Sequence, residues 1–174
     1  MKKYKNIINC FQYDTKSDRK TPFSVAKYVF NYKSDNQDKN ILNNIINKGN
    51  QLAQKVNPGA ANNGVSFRNV ETIINNSISG LLAEFLWIDL IKHHNIKCHI
   101  NNFQEAKTQI DIELTKCNKT IEVRSSFPRN GLKFALCHNN YQFDVIGPYI
   151  NYYKSGELKK DFYVRTLFPF RSIE

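Results

Sequence analysis

The sequence predicts an α/β fold, in which helices accompany a β-sheet. Two long segments in the first half carry apolar residues at helical spacing and are predicted as helices over 34–56 and 70–94. The second half instead contains short runs in which apolar and polar residues alternate, as they do in half-buried strands. The order of helices followed by a strand meander favours a sheet with helices packed against it.

Length and charge limit the classes of function. A chain of 174 residues with 41% apolar residues is long enough for one domain with a substantial core. Lys and Arg number 25 against 15 Asp and Glu, which gives a formal net charge of +10. This excess indicates a polyanionic partner such as nucleic acid, although ordinary solubility would explain the same composition.

Several protein classes are disfavoured by what the sequence lacks. No apolar stretch reaches membrane-spanning length, and no signal-peptide apolar segment follows the N-terminal residues, so we expect a cytoplasmic protein without a membrane partner. The four cysteines form no Cys-x-x-Cys pair, so reduced thiols are expected. The absence of a Gly-x-Ser-x-Gly motif and of a Gly-rich phosphate loop disfavours acyl hydrolases and nucleotide-driven enzymes.

Each helix has local sequence features that define it. The first is predicted from Ser34 or Asp35, either of which can cap it, to Val56, where an Asn-Pro-Gly sequence stops it. The second has a wide apolar face and should be the main core helix. That face comprises Ile73, Ile74, Ile78, Leu81, Leu82, Phe85 and Leu86.

Strands are predicted over 96–101, 108–115 and 119–126, with a hairpin turn at Cys117 and Asn118 between the last two. Residues 141–147 and 161–168 are further strand candidates, and 132–137 is either a strand or a short helix. We divide the chain into an N-terminal helical or irregular extension, residues 1–69, and a core, residues 70–174, within one compact domain.

Two carboxylates interrupt the apolar strand pattern. Asp111 lies between two isoleucines, and Glu122 lies between an isoleucine and a valine. On neighbouring strands these acids would share one face and offer hard oxygen ligands for Mg²⁺ or Mn²⁺, the ions that assist phosphodiester cleavage. Glu113 shares the strand parity of Asp111 and is an alternative ligand, while Glu122 and Arg124 could instead form a solvated ion pair. An acidic site in a basic chain suggests a nuclease.

This order of a helix, an acid-bearing strand and a strand with Glu-x-basic resembles the PD-(D/E)xK nuclease superfamily. The matching residues are Gly80 to Glu84 on the second helix, Ile110 with Asp111, and Glu122 to Arg124. The resemblance implies a restriction-endonuclease-like core, with a mixed central β-sheet flanked by helices. It also implies a Mg²⁺-dependent DNA endonuclease, most like a type II restriction enzyme.

The resemblance also assigns roles to individual residues. Asp111, Glu122 and the backbone carbonyl of Val123 would be ligands of Mg²⁺, for which Mn²⁺ would substitute. Glu84 would bind a second ion or orient a water, and Arg124 would stabilise charge on the pentavalent transition state. Superfamily members that cut both strands commonly act as homodimers, so the implied partners are double-stranded DNA and a second copy of the chain.

Arg124 is a departure, because the superfamily has a lysine at this position. Arginine stays charged at physiological pH and cannot act as a general base. The difference is compatible with a tolerated variant, with a lysine supplied from elsewhere such as Lys133, or with a DNA-binding protein that has lost catalysis. A repair or transposition nuclease of the same superfamily is a further alternative. The helix expected before the last core strand is not evident, unless it lies within 130–139.

Basic side chains elsewhere are candidates for phosphate contacts. They are Arg68, Arg129, Lys133, Lys159 and Arg165. Residues 149–160 interleave aromatic and basic side chains, a pattern that suits phosphates and stacked bases. The His and Cys residues within 93–99 suggest zinc, but a helix end and a strand would point them in different directions. His138 faintly resembles an HNH nuclease motif, without the surrounding metal module.

Overall fold

The computed structural model describes residues 4–14, 19–59, 66–100, 110–126 and 159–168. In chain order the described elements are β1 (Tyr4–Asp14), β2 (Arg19–Tyr28), α1 (Asn36–Ala53), α2 (Val70–His93), β3 (Cys98–Ile100), β4 (Ile112–Leu114), β5 (Lys119–Ser126) and β6 (Phe162–Leu167). Helices that accompany a sheet confirm the predicted α/β class.

The larger sheet of the described residues has the strand order β3-β4-β5-β6. Its first three strands pair antiparallel, while β6 runs parallel to β5, so the sheet is mixed, as predicted. The tight β4–β5 turn ends at Asn118, whose φ of 51° lies in the left-handed region that Asn tolerates. Parallel strands need a crossover connection, for which residues 127–161 provide the length. The elements predicted over 130–139, 132–137 and 141–147 lie outside the described residues.

Both helices begin where the sequence predicts. Oδ1 of Asp35 accepts hydrogen bonds from the backbone N–H groups of Gln37 and Asp38, at 2.8 and 3.2 Å. At the start of α2, Oδ1 of Asn69 accepts one from the N–H of Thr72 at 2.7 Å. These caps satisfy backbone donors that a helix leaves unpaired in its first turn. Among the described residues, no helix is long and apolar enough to cross a membrane.

Helix α2 lies between α1 and the larger sheet. On one side Ile78 and Leu82 of α2 pack against Ile45 of α1. On the other side the core cluster consists of Ile88, Ile91, Ile112 and Ile121. The two helices approach closely at Gly49, where an added Cβ would overlap the side chain of Ile78. Helix α2 therefore connects the N-terminal part of the chain to the sheet.

The first two strands differ from the prediction. β1 and β2 form an antiparallel ribbon in which Tyr4 lies opposite Tyr28 and Asp14 lies opposite Arg19. The expectation of a helical or irregular extension is therefore wrong for these residues, although it is right for α1. Pro22 argues against a central strand, but a two-stranded ribbon has only edges, where proline is tolerated. The domain division at residue 69 stays a prediction.

Candidate functional site

Glu122 lies on β5 and is 5% exposed. Its Oε1 forms an ion pair with Nη2 of Arg124 at 2.9 Å, and its Oε2 lies 3.6 Å from Nζ of Lys160. Burial of a carboxylate is unfavourable unless charged partners compensate it. The two cations provide this compensation. The alternative of a solvated Glu122–Arg124 pair is wrong, because the pair exists but its carboxylate is buried.

Lys160 is a member of this cluster that the sequence analysis did not identify. Its side chain is 1% exposed, and lysine is rarely so buried unless it is paired. Lys160 lies two residues before the first residue of β6, and the parallel register aligns Glu122 with Tyr163, which brings the lysine close to the carboxylate. The backbone N–H of Lys160 donates to the hydroxyl of Tyr163 at 3.0 Å. Lys133, the replacement lysine suggested by the sequence, lies outside the described residues.

The neighbouring Asp161 fixes the beginning of β6 against β5. Its Oδ1 accepts a hydrogen bond from Nζ of Lys119 at 2.7 Å, and its Oδ2 accepts from the backbone N–H and the hydroxyl of Thr120, at 2.9 and 3.0 Å. The backbone N–H of Asp161 donates to the same hydroxyl at 3.1 Å. The hydrogen bond from Lys119, followed by those from Thr120, lowers the pKa of Asp161 to about 2. These four bonds hold the start of β6, just after Lys160, in register with β5.

Asp111 reaches the same cluster from the neighbouring strand. It directly precedes β4, and its Oδ2 accepts a hydrogen bond from the backbone N–H of Val123 at 2.7 Å. The antiparallel register aligns Ile112 with Ile121. Asp111, one residue before Ile112, therefore lies beside Glu122, one residue after Ile121. Glu113, the alternative ligand, lies opposite Thr120 and is further along the strand. The structure therefore brings Asp111 and Glu122 together, as the sequence predicts.

Glu84 approaches this site from helix α2. It is half-buried and follows Ala83, which is fully buried. Burial, together with the negative charges of Asp111 and Glu122, raises the pKa of Glu84 to about 8. No ion pair joins Glu84 to a cation of the described residues. The mutual influence of the three carboxylates means that they belong to one electrostatic environment.

The basic residues that are predicted to contact phosphate do not all lie at this site. Arg165 lies on β6 directly opposite Arg124, so the two arginines leave the parallel strands on the same face. Arg68 instead donates from Nε to the carbonyl of Pro58 at 3.4 Å and from Nη2 to the carbonyl of Asn57 at 3.3 Å. Lys159 is exposed. Arg129 and Lys133 lie outside the described residues, as does most of the segment 149–160.

The geometry by itself does not make a complete metal cage. Within the described part of the chain, no group of three or more His, Cys, Asp or Glu side chains is arranged to hold a metal ion. Asp111 is hydrogen-bonded to a backbone N–H, and Glu122 is paired with cations. What the described residues form is a half-buried cluster of three carboxylates and two cations at the junction of α2, β4, β5 and β6.

Comparison with known proteins finds a relative of similar sequence. The chain is 33% identical over 184 residues to uncharacterized protein MJECS01 of Methanocaldococcus jannaschii. The match covers 96% of this chain and 62% of the relative, so the chain spans less than two thirds of the relative's length. No protein family and no solved structure matches the chain. The relative's name assigns it no activity, so the functional argument depends on the site.

Proposed function

We propose that this protein is a Mg²⁺-dependent DNA endonuclease of the PD-(D/E)xK superfamily, with a restriction-endonuclease-like core. The observation that carries the proposal is the position of Asp111, directly before β4, beside Glu122 on the adjacent strand β5, with Glu84 of α2 in the same electrostatic environment. Buried acids without a chemical role are unfavourable for folding, and the strongly raised pKa of Glu84 is typical of functional sites.

The donor set fits Mg²⁺. This ion keeps several waters and is usually bound by one or two carboxylates together with substrate phosphates, so it does not need a cage of three side chains. The carboxylates of Asp111 and Glu122 and the backbone carbonyl of Val123 are oxygen donors of this kind. Positive charge at this place would also lower the pKa of Glu84, which burial raises most and the charges of Asp111 and Glu122 raise further. When bound, the ion would supply Lewis acidity and a water of lowered pKa.

The protein's own residues would act on a phosphodiester as follows. A water oxygen forms a bond to phosphorus while the bond from phosphorus to O3′ breaks. One water proton passes to solvent and O3′ takes up a proton, which leaves a 3′-hydroxyl and a 5′-phosphate. Arg124, whose side chain is 26% exposed, remains accessible to the phosphate and stabilises the charge that develops on it. Arg124 positions the phosphate and neutralises its charge, but it does not remove the proton from the attacking water.

Duplex DNA is the proposed substrate, with a type II restriction enzyme as the most similar kind of nuclease. The net charge of +10 favours binding to the phosphate backbone. Arg165 beside Arg124 adds a second guanidinium on the face that carries Glu122. Cleavage of both strands by a single-site enzyme is simplest for a homodimer, and we include a second copy of the chain in the proposal.

The proposal is tested by incubating supercoiled and linear duplex DNA with the protein in Mg²⁺, Mn²⁺ or EDTA. We expect discrete fragments with 5′-phosphate ends that require the metal and are lost in Asp111→Ala and Glu122→Ala. Arg124→Lys should cleave at the wild-type rate or faster. Cleavage that continues in EDTA, or in both alanine variants, would contradict the assigned site.

A second candidate is a DNA-binding protein that has lost catalysis. It is favoured by the way in which protein donors already occupy the carboxylates, with Asp111 bonded to a backbone N–H and Glu122 bonded to Arg124. It predicts salt-sensitive DNA binding without cleavage in any metal. Comparison of duplex, branched and single-stranded substrates would separate a restriction-type enzyme from a repair or transposition nuclease.

A further inference from the structure

The antiparallel ribbon of β1 and β2 has no part in the carboxylate cluster. Its strands pair from Tyr4 opposite Tyr28 to Asp14 opposite Arg19, and among the described residues no third strand joins them. A two-stranded ribbon is only marginally stable in water by itself, and its unpaired edges are open to other molecules. A ribbon of this length is therefore expected to be completed by a ligand or by another chain.

The dimensions of the ribbon fit the major groove of duplex DNA. This groove is about 12 Å wide and admits a two-stranded ribbon, whose strands lie about 4.8 Å apart. β2 has 10 residues, and at roughly 3.3 Å per residue a strand of this length extends over about 33 Å. Successive base pairs are about 3.4 Å apart. The ribbon is narrow enough to enter the groove and long enough to contact several base pairs.

Positive charge is concentrated in this part of the sequence. Residues 1–28 contain seven Lys or Arg and two Asp, a formal net charge of +5, which is half of the +10 of the whole chain. Lys5 and Lys27 lie directly opposite each other in the register. Like charges in this relation destabilise a pair of strands, and a nearby anion removes the repulsion. A phosphate of the DNA backbone is such an anion.

One face of the ribbon carries residues suited to the edges of bases. Asn9 is opposite Ser24, and Tyr13 is opposite Lys20. Because strand residues alternate between faces, these four positions share one face, and Phe11 lies between Asn9 and Tyr13 on it. In the major groove Asn forms two hydrogen bonds with adenine, Ser and Lys contact base acceptors, and Phe suits the methyl group of thymine. The composition of this face therefore matches the groups that the groove presents.

The ribbon is attached next to the candidate catalytic site. The ring centre of Tyr28, at the end of β2, lies 4.9 Å from that of Phe30, and the ring centre of Phe30 lies 6.2 Å from that of Phe85. Phe85 directly follows Glu84 on α2. A duplex whose phosphodiester lies at the carboxylates would therefore pass close to the end of the ribbon that contains Lys27.

We propose that the β1–β2 ribbon is the recognition element of this protein and binds in the major groove of duplex DNA. Lys5 and Lys27 contact backbone phosphates, and the face that carries Asn9 and Ser24 contacts the base edges. The inference rests on the proposed function for its ligand, duplex DNA, and it assigns a binding element that is separate from the carboxylate cluster.

The test measures binding of the full chain to a fluorescent duplex that the wild type selects from a random-sequence pool, in Ca²⁺ and in EDTA, over a range of salt concentrations. Lys5→Gln combined with Lys27→Gln removes two charges from the ribbon. Lys39→Gln combined with Lys48→Gln is the matched control, because it removes two charges from exposed positions of α1. A second duplex of the same sequence carries glucosylated 5-hydroxymethylcytosine, which fills the major groove.

We expect the Lys5 and Lys27 double variant to bind the selected duplex about tenfold more weakly or worse, and its slope of log affinity against log salt to be smaller by about 2, since two phosphate contacts are lost. The α1 control should keep the wild-type slope. The wild type should bind the glucosylated duplex at least about tenfold more weakly, because the groove is filled.

The base contacts have their own readout. Asn9→Ala should weaken binding to the selected duplex by at least about fivefold and leave the affinity for an unselected duplex unchanged, because it removes a contact that depends on sequence. Asn44→Ala, at an exposed position of α1, is its control and should behave as the wild type on both duplexes. Hydrogen exchange of the ribbon amides should slow when DNA is added.

Wild-type affinity and salt slope in the Lys5 and Lys27 double variant would overturn the assignment, and so would equal binding of the plain and glucosylated duplexes by the wild type. Protection of the ribbon amides that depends on protein concentration and not on DNA would also overturn it, because a second copy of the chain would then cover the ribbon.

Failure of the proposed function is distinguishable, because the binding measurements require no cleavage. A wild type that binds the duplex through the ribbon but cuts DNA in no metal would contradict the endonuclease and leave the recognition element in place. A wild type that cuts DNA while the ribbon variants bind it normally would contradict only the ribbon. A wild type that binds no duplex would contradict both.

Discussion

Glu122 on β5 and Glu84 on α2 belong to the same cluster, yet their surroundings differ. Glu122 is almost fully buried and lies between Arg124 and Lys160. Glu84 is partly buried, pairs with no cation of the described residues, and has a pKa raised to about 8. Burial is the largest cause of the raised pKa of Glu84, and the charges of Asp111 and Glu122 raise it further. Glu122 is more deeply buried, but it has two cations beside it.

The difference follows from the elements that carry the two acids. β5 has β6 as a parallel neighbour, and Lys160 and Asp161, the two residues before β6, lie at the site. The face of α2 that carries Glu84 meets Asp111 and Glu122, so its nearest charges are negative. One side of the site is neutralised by the protein itself, while the other side retains a need for positive charge. In the proposed function, the metal ion would bind on the side that has no cation of its own among the described residues.

The largest effect is expected from removal of the cation on the Glu122 side. Lys160→Met would leave a buried carboxylate with one partner fewer, and we expect the free energy of unfolding to fall by about 3–5 kcal/mol in the absence of metal. Urea unfolding at pH 7 measures this. Lys159→Met removes an exposed lysine and should stay within about 0.5 kcal/mol of the wild type. Equal effects of the two substitutions would remove the basis of the comparison.

The next effect concerns Glu84, on the α2 side of the site. The folded pKa of Glu84, about 8, lies above its ordinary value of 4.5, so the native state keeps a proton that the unfolded state has lost. Stability should therefore fall as pH rises from about 4.5 to about 8, by a few kcal/mol in total without metal. Glu84→Gln should remove most of this slope and should be more stable than the wild type at pH 8.

Unfolding curves at pH 5, 6.5 and 8 in EDTA decide this prediction. Glu71→Gln, an exposed position in the first turn of the same helix, is the matched control and should keep the wild-type slope. A slope that is unchanged in Glu84→Gln would mean that Glu84 is not the group that gains the proton, and the two sides of the site would no longer differ as described.

A smaller effect is expected from a change in the packing of α1 against α2. A Cβ at Gly49 would overlap Ile78, so Gly49→Ala must shift α1 against α2 and should cost about 1–3 kcal/mol. Gly80→Ala is the control within α2, because nothing lies within 4 Å of its added Cβ, and it should be neutral or stabilising by up to about 1 kcal/mol. Urea unfolding separates them. A neutral Gly49→Ala would show that the helices are not closely packed there.

The elements defined by local sequence are those that could be predicted. Asp35 and Asn69 cap helices with regular apolar spacing, and the hairpin between β4 and β5 closes over a short turn at Asn118. Asp111 and Glu122 could be paired for the same reason, because adjacent strands of a hairpin have a register that the turn fixes. The α/β class follows from these features.

The Lys160 contact could not be predicted, because it depends on a parallel pairing of strands that are distant in sequence. Nothing in the sequence before β6 distinguishes Lys160 from the exposed Lys159. The ion pair between Lys160 and Glu122 and the hydrogen bonds between Asp161 and Thr120 could not be predicted for the same reason. The β1–β2 ribbon could not be predicted because apolar and polar residues do not alternate regularly along its strands and Pro22 argues against a strand.

The smallest effect is expected at Asp161, whose hydrogen bonds to Lys119 and Thr120 hold the start of β6 against β5. Asp161 is exposed, and its pKa is lowered to about 2 by Lys119 and Thr120. The stabilisation it provides is present above the unfolded pKa of 3.8 and is lost as pH falls toward about 2. Asp161→Asn should therefore be slightly less stable than the wild type at pH 6, and the difference should vanish at pH 2. Acid unfolding measures it. A difference that persists at pH 2 would have another cause.

The measurement that tests the account most directly is conversion of supercoiled plasmid by the wild type, Glu122→Gln and Glu113→Gln, in Mg²⁺ and in EDTA. Glu113 lies on the same hairpin and is the matched control. We predict Mg²⁺-dependent conversion to nicked and linear DNA by the wild type and Glu113→Gln, and none by Glu122→Gln or in EDTA. Salt-sensitive DNA binding without conversion by any of the three proteins would contradict the account.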